Sequence, residues 1–279
     1  MMDKNSKYLI YTSFGDKSQI GSWLSGWEKS QRPFDIWATY YGDTEVDTKI
    51  VKKLNFFNKK RLGKLPNFFR LYEKYSRLLS SYESIWIVDD DIQIENENIE
   101  KLFHYRKKYG VSILQPSNSN KGKVNHLITK KVDKNKFRYT NFVELTAPFW
   151  ETNFLIQWYE KEFLPLKKKW IGFEQTFLKE NTDSVSNQLS EENFHDFGLD
   201  YWWSFYARKN NKKMGIVDEF SMINPFDESG ILHEKMNNLL GYDEPTSEKI
   251  WYRFNEEHCV KCDCEPFQHK CNFYYFDFE

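Results

Sequence analysis

Three consecutive carboxylates, Asp89, Asp90 and Asp91, close an apolar run of Ile85, Trp86, Ile87 and Val88. Paired acids suit a hard divalent cation, Mg²⁺ or Mn²⁺, and substrate phosphates usually complete the coordination of such a site. Side chains alternate along an extended chain, so Asp89 and Asp91 are expected on one face and Asp90 on the other. A calcium loop of the helix-loop-helix kind is excluded, because its sixth position needs Gly and, counted from Asp89, holds Ile94. Three acids after a strand can also be a plain solvated turn; the apolarity of the run before them weighs against that reading.

A second concentration of chemistry lies near the C-terminal end. Cys259, Cys262, Cys264 and Cys271 are all the cysteines of the chain, and His258 and His269 flank them. Cys259-x-x-Cys262 has the knuckle spacing of a tetrahedral Zn²⁺ site, although Cys264 follows after only two residues and no second Cys-x-x-Cys is present. A structural Zn²⁺ is the first expectation, reduced structural thiols the second, and disulfides the last in a cytoplasmic protein.

The acids need a frame that holds them. The apolar run before them reads as a strand buried on both faces of a parallel sheet, where ligands bind beyond the carboxyl ends of strands. Upstream, 8–12 and 34–41 read as strands and 18–29 as a helix, and Pro66 opens a helix over 67–80. Downstream, a helix over 97–108 precedes a strand over 111–115, closed by Pro116. Residues 123–130 and 137–146 read as two more strands, and 149–163 as an aromatic-rich helix. Residues 181–193 are polar and suit a lid. Asp200 reads as the N-cap of a helix to Lys209, and 214–220 as a strand stopped by Asn224-Pro225. Strands alternating with helices predict an α/β fold: a mainly parallel central sheet flanked by helices, forming one domain over 1–225. Residues 226–279 form a helical or irregular appendage with the Cys cluster.

Composition narrows the function. With 279 residues, 40% hydrophobic, and a net charge of −1, the chain is globular and has no nucleic-acid character. Only 12 Gly are present, in neither a dinucleotide fingerprint nor a phosphate-cradling Walker loop, which disfavours dinucleotide oxidoreductases and P-loop kinases. Aromatic residues reach 18%, enough to suggest rings that face sugars as well as a ring-rich core. No run approaches the roughly 20 apolar residues of a transmembrane segment, and residues 1–7 are polar, so a soluble cytoplasmic protein is expected. Lys167 to Lys169 beside Trp170 leave peripheral membrane contact open, a solvated Lys run being the commoner case.

Five short motifs follow one another over residues 7–225: Ile87-Val88-Asp89-Asp90-Asp91, Gln115-Pro116, Phe142-Val143-Glu144 with Ala147-Pro148, Gly198-Leu199-Asp200, and Gly215-Ile216-Val217-Asp218. In order and spacing they resemble the glycosyltransferase-like proteins of domain-of-unknown-function family 707, and more broadly the GT-A class of nucleotide-sugar glycosyltransferases. The resemblance implies a GT-A-like fold and a cation-dependent, inverting transferase of carbohydrate biosynthesis. Its donor is a nucleoside diphosphate sugar and its acceptor a glycan or glycolipid.

The resemblance also implies roles. Asp89 and Asp91 of the Asp-x-Asp motif hold Mn²⁺ or Mg²⁺. Where relatives carry a further His ligand this chain has Asn224, with His233 as a substitute. Asp200, after the lid, is the base, with Glu144 as the alternative base or an acceptor ligand. Thr12, Ser13, Gly15, Lys64, Arg70, Asp89 and Asp90 face the donor. Two other classes stay open. A phosphohydrolase of the haloacid dehalogenase kind also uses a strand-end Asp-x-Asp, normally on the first strand and with Thr where this chain has Gln93. A non-catalytic carbohydrate-binding protein is kept open by Asn224.

Overall fold

Short apolar runs separated by amphipathic ones leave the chain one way to bury both faces of its strands, which is to lay helices on each side of a sheet. The computed structural model describes residues 6–25, 27–181, 194, 196 and 198–226. In chain order the elements are β1 (Tyr8–Phe14), α1 (Ile20–Trp23), β2 (Asp35–Tyr40), α2 (Thr48–Lys53), β3 (Phe56–Lys59), α3 (Lys64–Leu79), β4 (Ser84–Ile87) and α4 (Asn96–Tyr109). There follow β5 (Ile113–Asn118), a 3₁₀ turn (Leu127–Thr129), β6 (Phe137–Thr140), β7 (Phe149–Glu151), α5 (Thr152–Trp158), a π-helical turn (Tyr159–Phe163), α6 (Leu164–Asn181), α7 (Leu199–Lys209) and β8 (Met214–Met222).

The eight strands form one sheet in the order β3-β2-β1-β4-β7-β5-β8-β6. From β3 to β4 every pairing is parallel. β7 then runs antiparallel to both β4 and β5, and β6 antiparallel to β8. The sheet is therefore mixed, and the expected parallel character holds for its first half. Because β7 is reversed, the segment that enters it arrives at the edge where β4 and β5 leave the sheet. The antiparallel strand thus feeds residues 141–148 into the place where ligands bind in such sheets.

One face is covered by α3, α5, α6 and α7 through Leu65, Phe69, Leu155, Trp170 and Trp202, the other by α1 and α4 through Trp23, Ile99 and Leu102. Trp23, Trp37, Trp86, Trp150, Trp158, Trp170, Trp202 and Trp203 are all less than 2% exposed or at that limit. That accounts for eight of the ten tryptophans, so most of these large rings go into the core. Trp150 stacks on Trp158 at 5.9 Å and meets Trp203 edge-on at 5.2 Å, and such pairs add about 0.5–1.5 kcal/mol each beyond their burial.

Several sequence expectations give way to tertiary packing. Residues 123–130 contain the 3₁₀ turn in place of a strand, and the strand expected over 137–146 stops at Thr140. Phe149–Glu151 is a strand, because Phe149 and Trp150 pair on both sides, so the helix begins only at Thr152. The helix then runs on through Pro165, whose missing N–H is tolerated in the first turn of α6. Pro116 lies inside β5, at a register shift against β8, where a strand accepts proline. β3 was unforeseen, being short and only half-buried. The helix expected over 18–29 shrinks to Ile20–Trp23. Among the described residues, no helix is long and apolar enough to cross a membrane. The 182–193 stretch, His233 and the Cys/His cluster lie outside the described residues.

Candidate active site

Extended geometry ends at Val88, whose N–H donates to Tyr11 O, and the acids form a turn closed by Ile92 N–H on Asp89 O (3.4 Å). Asp90 is turned inward: its Oδ2 accepts from Gly15 N–H (2.8 Å) and the Tyr41 hydroxyl (3.2 Å), and its carbonyl accepts from Gln19 N–H (2.6 Å). A Cβ on Gly15 would stand 2.6 Å from the Tyr41 ring, so any larger residue there would have to displace the ring whose hydroxyl meets Asp90. Burial pushes the Asp90 carboxyl up to about 7, against the pull of the Gly15 N–H. The same burial, with Asp90 beside it, raises the Tyr41 phenol.

Asp91 is half-buried at the same turn. Two residues on, Gln93 and Ile223 exchange backbone hydrogen bonds (3.0 and 2.9 Å) as an antiparallel bridge, which sets Asn224 level with Ile92. Among the described residues no three His, Cys, Asp or Glu side chains converge on a metal position. Mg²⁺ and Mn²⁺ need no such cage, since one or two protein oxygens plus substrate phosphates suffice. The carboxylate of Asp91 and the amide carbonyl of Asn224 are oxygen donors of the hard type such a cation takes, on neighbouring backbone positions beside this bridge.

Asp89 is committed to a cation of the protein's own. Lys64, the first residue of α3, places Nζ 2.5 Å from Asp89 Oδ1, and the same ammonium donates to Leu145 O (2.7 Å) and Thr146 O (3.2 Å). Asp89 N–H also donates to Thr146 O (2.9 Å). The acid turn is thereby pinned to the segment 141–148 that enters β7.

Beyond the Ile87 and Asp89 N–H groups that donate to Pro148 O and Thr146 O, this segment has no regular partner strand, so much of its buried backbone is satisfied by side chains. Gln115 Oε1 accepts from Glu144 N–H (2.6 Å), Ser204 Oγ from Val143 N–H (3.4 Å) and Asp200 Oδ2 from Leu145 N–H (3.3 Å); Trp203 Nε1 donates to Val143 O (2.9 Å). Glu144 is 2% exposed. Its carboxylate accepts from Asn118 Nδ2 (3.1 Å), Asn125 Nδ2 (2.6 Å) and Thr146 Oγ1 (2.9 Å), which fixes its orientation with neutral donors alone.

Asp200 is 5% exposed and sits at the second position of α7. It is no N-cap, contrary to the sequence expectation: Gly198 takes that position with φ +85°, a conformation natural to glycine. Asp200 Oδ1 accepts from Tyr201 N–H (3.0 Å). Burial pushes its carboxyl up to about 6; His126 nearby pulls it down and Glu144 pushes it further up. His126 is a site residue that sequence reasoning missed. Its ring packs on Phe142 (4.7 Å between centroids) and Tyr201 (6.0 Å), and its carbonyl is held by Thr129. A lone His in a polar run gives no signal, and neither do the amides of Asn118 and Asn125.

On the other side of the acid turn, Tyr11, Ser13, Thr39 and Asn67 form a buried chain of hydrogen bonds beneath α3. Thr12 is wholly buried, with its hydroxyl on Ser13 O (3.3 Å), so it lies within the sheet. Arg70, one turn beyond Asn67, lowers the proton affinity of Tyr11 against the burial that raises it to about 12. Arg70 Nε and Nη2 are buried with no hydrogen-bond acceptor among the described residues. Asp218 is paired elsewhere, with Arg138 Nε at 2.8 Å and both side chains almost fully buried.

A family model described as Protein of unknown function (DUF707) matches residues 74–264, a span that starts within α3 and includes Glu144, Asp200 and all three acids of the turn. No curated protein matches the chain. Among solved structures, the crystal structure of S. aureus TarS 1-349 is similar with a TM-score of 0.45 and 13% identity, covering 90% of this chain and 71% of that one. The same S. aureus fragment in complex with UDP-GlcNAc gives 0.45 and 13%, covering 90% and 72%. A longer S. aureus TarS structure gives 0.44 and 14%, covering 90% and 43%.

Proposed function

We propose, on the premise that the chain belongs to the DUF707 family, that it transfers a sugar from a nucleoside diphosphate sugar to a hydroxyl of a glycan or glycolipid acceptor. One observation carries this reading. Asp200, a carboxyl whose proton affinity is raised into the range of a working base, is linked through the Leu145 N–H and the Lys64 ammonium to a strand-end acid turn with hard oxygen donors. Acceptor activation and diphosphate departure need these two chemistries side by side.

Asp200 accepts the proton of the acceptor hydroxyl as that oxygen attacks the anomeric carbon, the role required for inversion. Glu144 is oriented by three neutral donors and holds the acceptor's remaining hydroxyls. Arg70, with two buried N–H groups uncommitted among the described residues, is the cation placed to meet donor charge. Asp91 and Asn224 would hold Mn²⁺ or Mg²⁺, which when bound neutralises charge on the departing diphosphate. Gly15 and Asp90 close the floor of the donor side by their mutual hydrogen bond.

The test is a thermal-shift screen of nucleoside diphosphate sugars, each with and without Mn²⁺, followed by turnover of the stabilising donor with oligosaccharide and glycolipid acceptors. A Mn²⁺-dependent shift with one nucleotide class, and turnover, is expected. Stabilisation by free sugars alone, without nucleotide, would point to a carbohydrate-binding protein instead.

A further inference from the structure

We propose that Lys64 is a positioning residue whose ammonium, in place of a metal ion, holds the Asp89 carboxylate, and that the resulting clamp fixes the acid turn against the loop of Glu144 and Asp200. A buried ammonium is tolerated only when its N–H groups are taken up. The side chain of Lys64 is 7% exposed, and its three N–H groups meet three acceptors: Asp89 Oδ1, Leu145 O and Thr146 O. None is left over for a diphosphate, so Lys64 differs from the exposed lysines that bind phosphates as mobile point charges.

The acceptors are what give the clamp its reach. Leu145 offers its carbonyl to Lys64 and its N–H to Asp200, and Thr146 offers its carbonyl to Lys64 and its hydroxyl to Glu144. A continuous path, Asp89 to Lys64 to Leu145 to Asp200, therefore joins the donor-side turn to the acceptor-side base. With the ammonium already 2.5 Å from Asp89 Oδ1, a divalent cation on that carboxylate meets a like charge at contact range. Arginine can keep the charge but not the compact three-way geometry.

This inference shares the strand-end site with the transferase reading, but its test needs no turnover. Mn²⁺ binding to the full chain without nucleotide is measured by calorimetry and by electron paramagnetic resonance, for wild type and for Lys64→Gln, Lys64→Arg, Asp89→Asn and the Lys64→Gln/Asp89→Asn double variant. Lys64→Gln is expected to raise Mn²⁺ affinity by about tenfold, since it releases Asp89 beside Asp91, and the double variant should lose that gain. Lys64→Arg and Asp89→Asn alone should each stay within about twofold of wild type. A tenfold loss in Asp89→Asn would overturn the proposal, because Asp89 would then be a metal ligand; Asn still accepts a hydrogen bond, so this variant tests the idea even if Lys64→Gln does not fold. No gain in a folded Lys64→Gln, including no binding by either protein, would also overturn it. Failure here leaves the transferase reading standing, and absence of turnover with every nucleotide sugar leaves the clamp standing.

Discussion

The half-sheet β3-β2-β1-β4 and the half-sheet β7-β5-β8-β6 have the same number of strands but are built differently. In the first, every strand is parallel, each connection passes through a helix or turn, and the backbone is satisfied by its neighbours. In the second, antiparallel β7 and β6 flank the parallel pair β5 and β8, that pair slips in register, and the 141–148 segment takes several of its backbone partners from the side chains of Gln115, Ser204, Asp200 and Trp203. Regular pairing makes a rigid edge on which an acid turn can rest. Irregular pairing lets polar side chains reach into the core, and that is where the buried acids Glu144 and Asp200 are found.

If the second half holds the chemistry, Asp200→Asn should cost the most. A loss of roughly 10²–10⁴ in kcat is expected with only a small change in melting temperature, because Asn keeps one of the two accepted N–H bonds but cannot take a proton. Turnover within a few-fold of wild type with the true acceptor would move the base to Glu144 or imply a retaining reaction.

The next largest effect is on stability. Arg138→Met leaves Asp218 buried without its partner, and urea unfolding should show a loss of about 3–5 kcal/mol. A loss below about 1 kcal/mol would mean that the irregular half does not depend on its internal ion pair.

The pH behaviour follows from Asp200 and has two signs. As a base it must be ionised, so kcat/KM should fall about tenfold per unit as pH drops below about 6. For stability the sense is opposite: a carboxyl raised in the folded state contributes stability that is fully present below about pH 4 and lost as pH rises through about 6. Comparing wild type with Asp200→Asn across that window should reveal a slope on the order of 1 kcal/mol per pH unit that the variant lacks. An acid limb unchanged in position by Asp200→Asn would assign it to another group.

The smallest effect belongs to the parallel half. Asp47 caps α2 by accepting from Lys49 N–H (2.8 Å) at the surface, and Asp47→Ala should cost about 1 kcal/mol while leaving kcat and KM unchanged. A change in turnover would mean that the two halves are coupled through their surface connections.

The same division explains what could be read from the sequence. β1, β2 and β4 were legible because both their faces are buried and each gives an unbroken apolar run, and the acids at Asp89–Asp91 stand out for the same reason. In the second half apolar runs mislead. Phe149 and Trp150 look helical beside Phe154 and Leu155, and only pairing with β4 and β5 makes them a strand. Asp200 and Glu144 were found through motifs, whereas Asn118, Asn125 and His126 carry no local pattern and meet the acids only through the fold. That Lys64 pairs with Asp89 was likewise beyond sequence, since a lysine before an amphipathic helix reads the same whatever it faces.

Gln115 and Asn118 bracket the slip between Pro116 and Ser117. Positions 115 and 118 differ by an odd number, and in an undisturbed two-residue repeat their side chains would point to opposite sides. Here both serve one residue: Gln115 takes the Glu144 N–H and Asn118 donates to its carboxylate. The two positions meet different parts of Glu144, its backbone N–H and its carboxylate, so the orientation of a buried acid is set by two uncharged amides of one strand and not by any charged group.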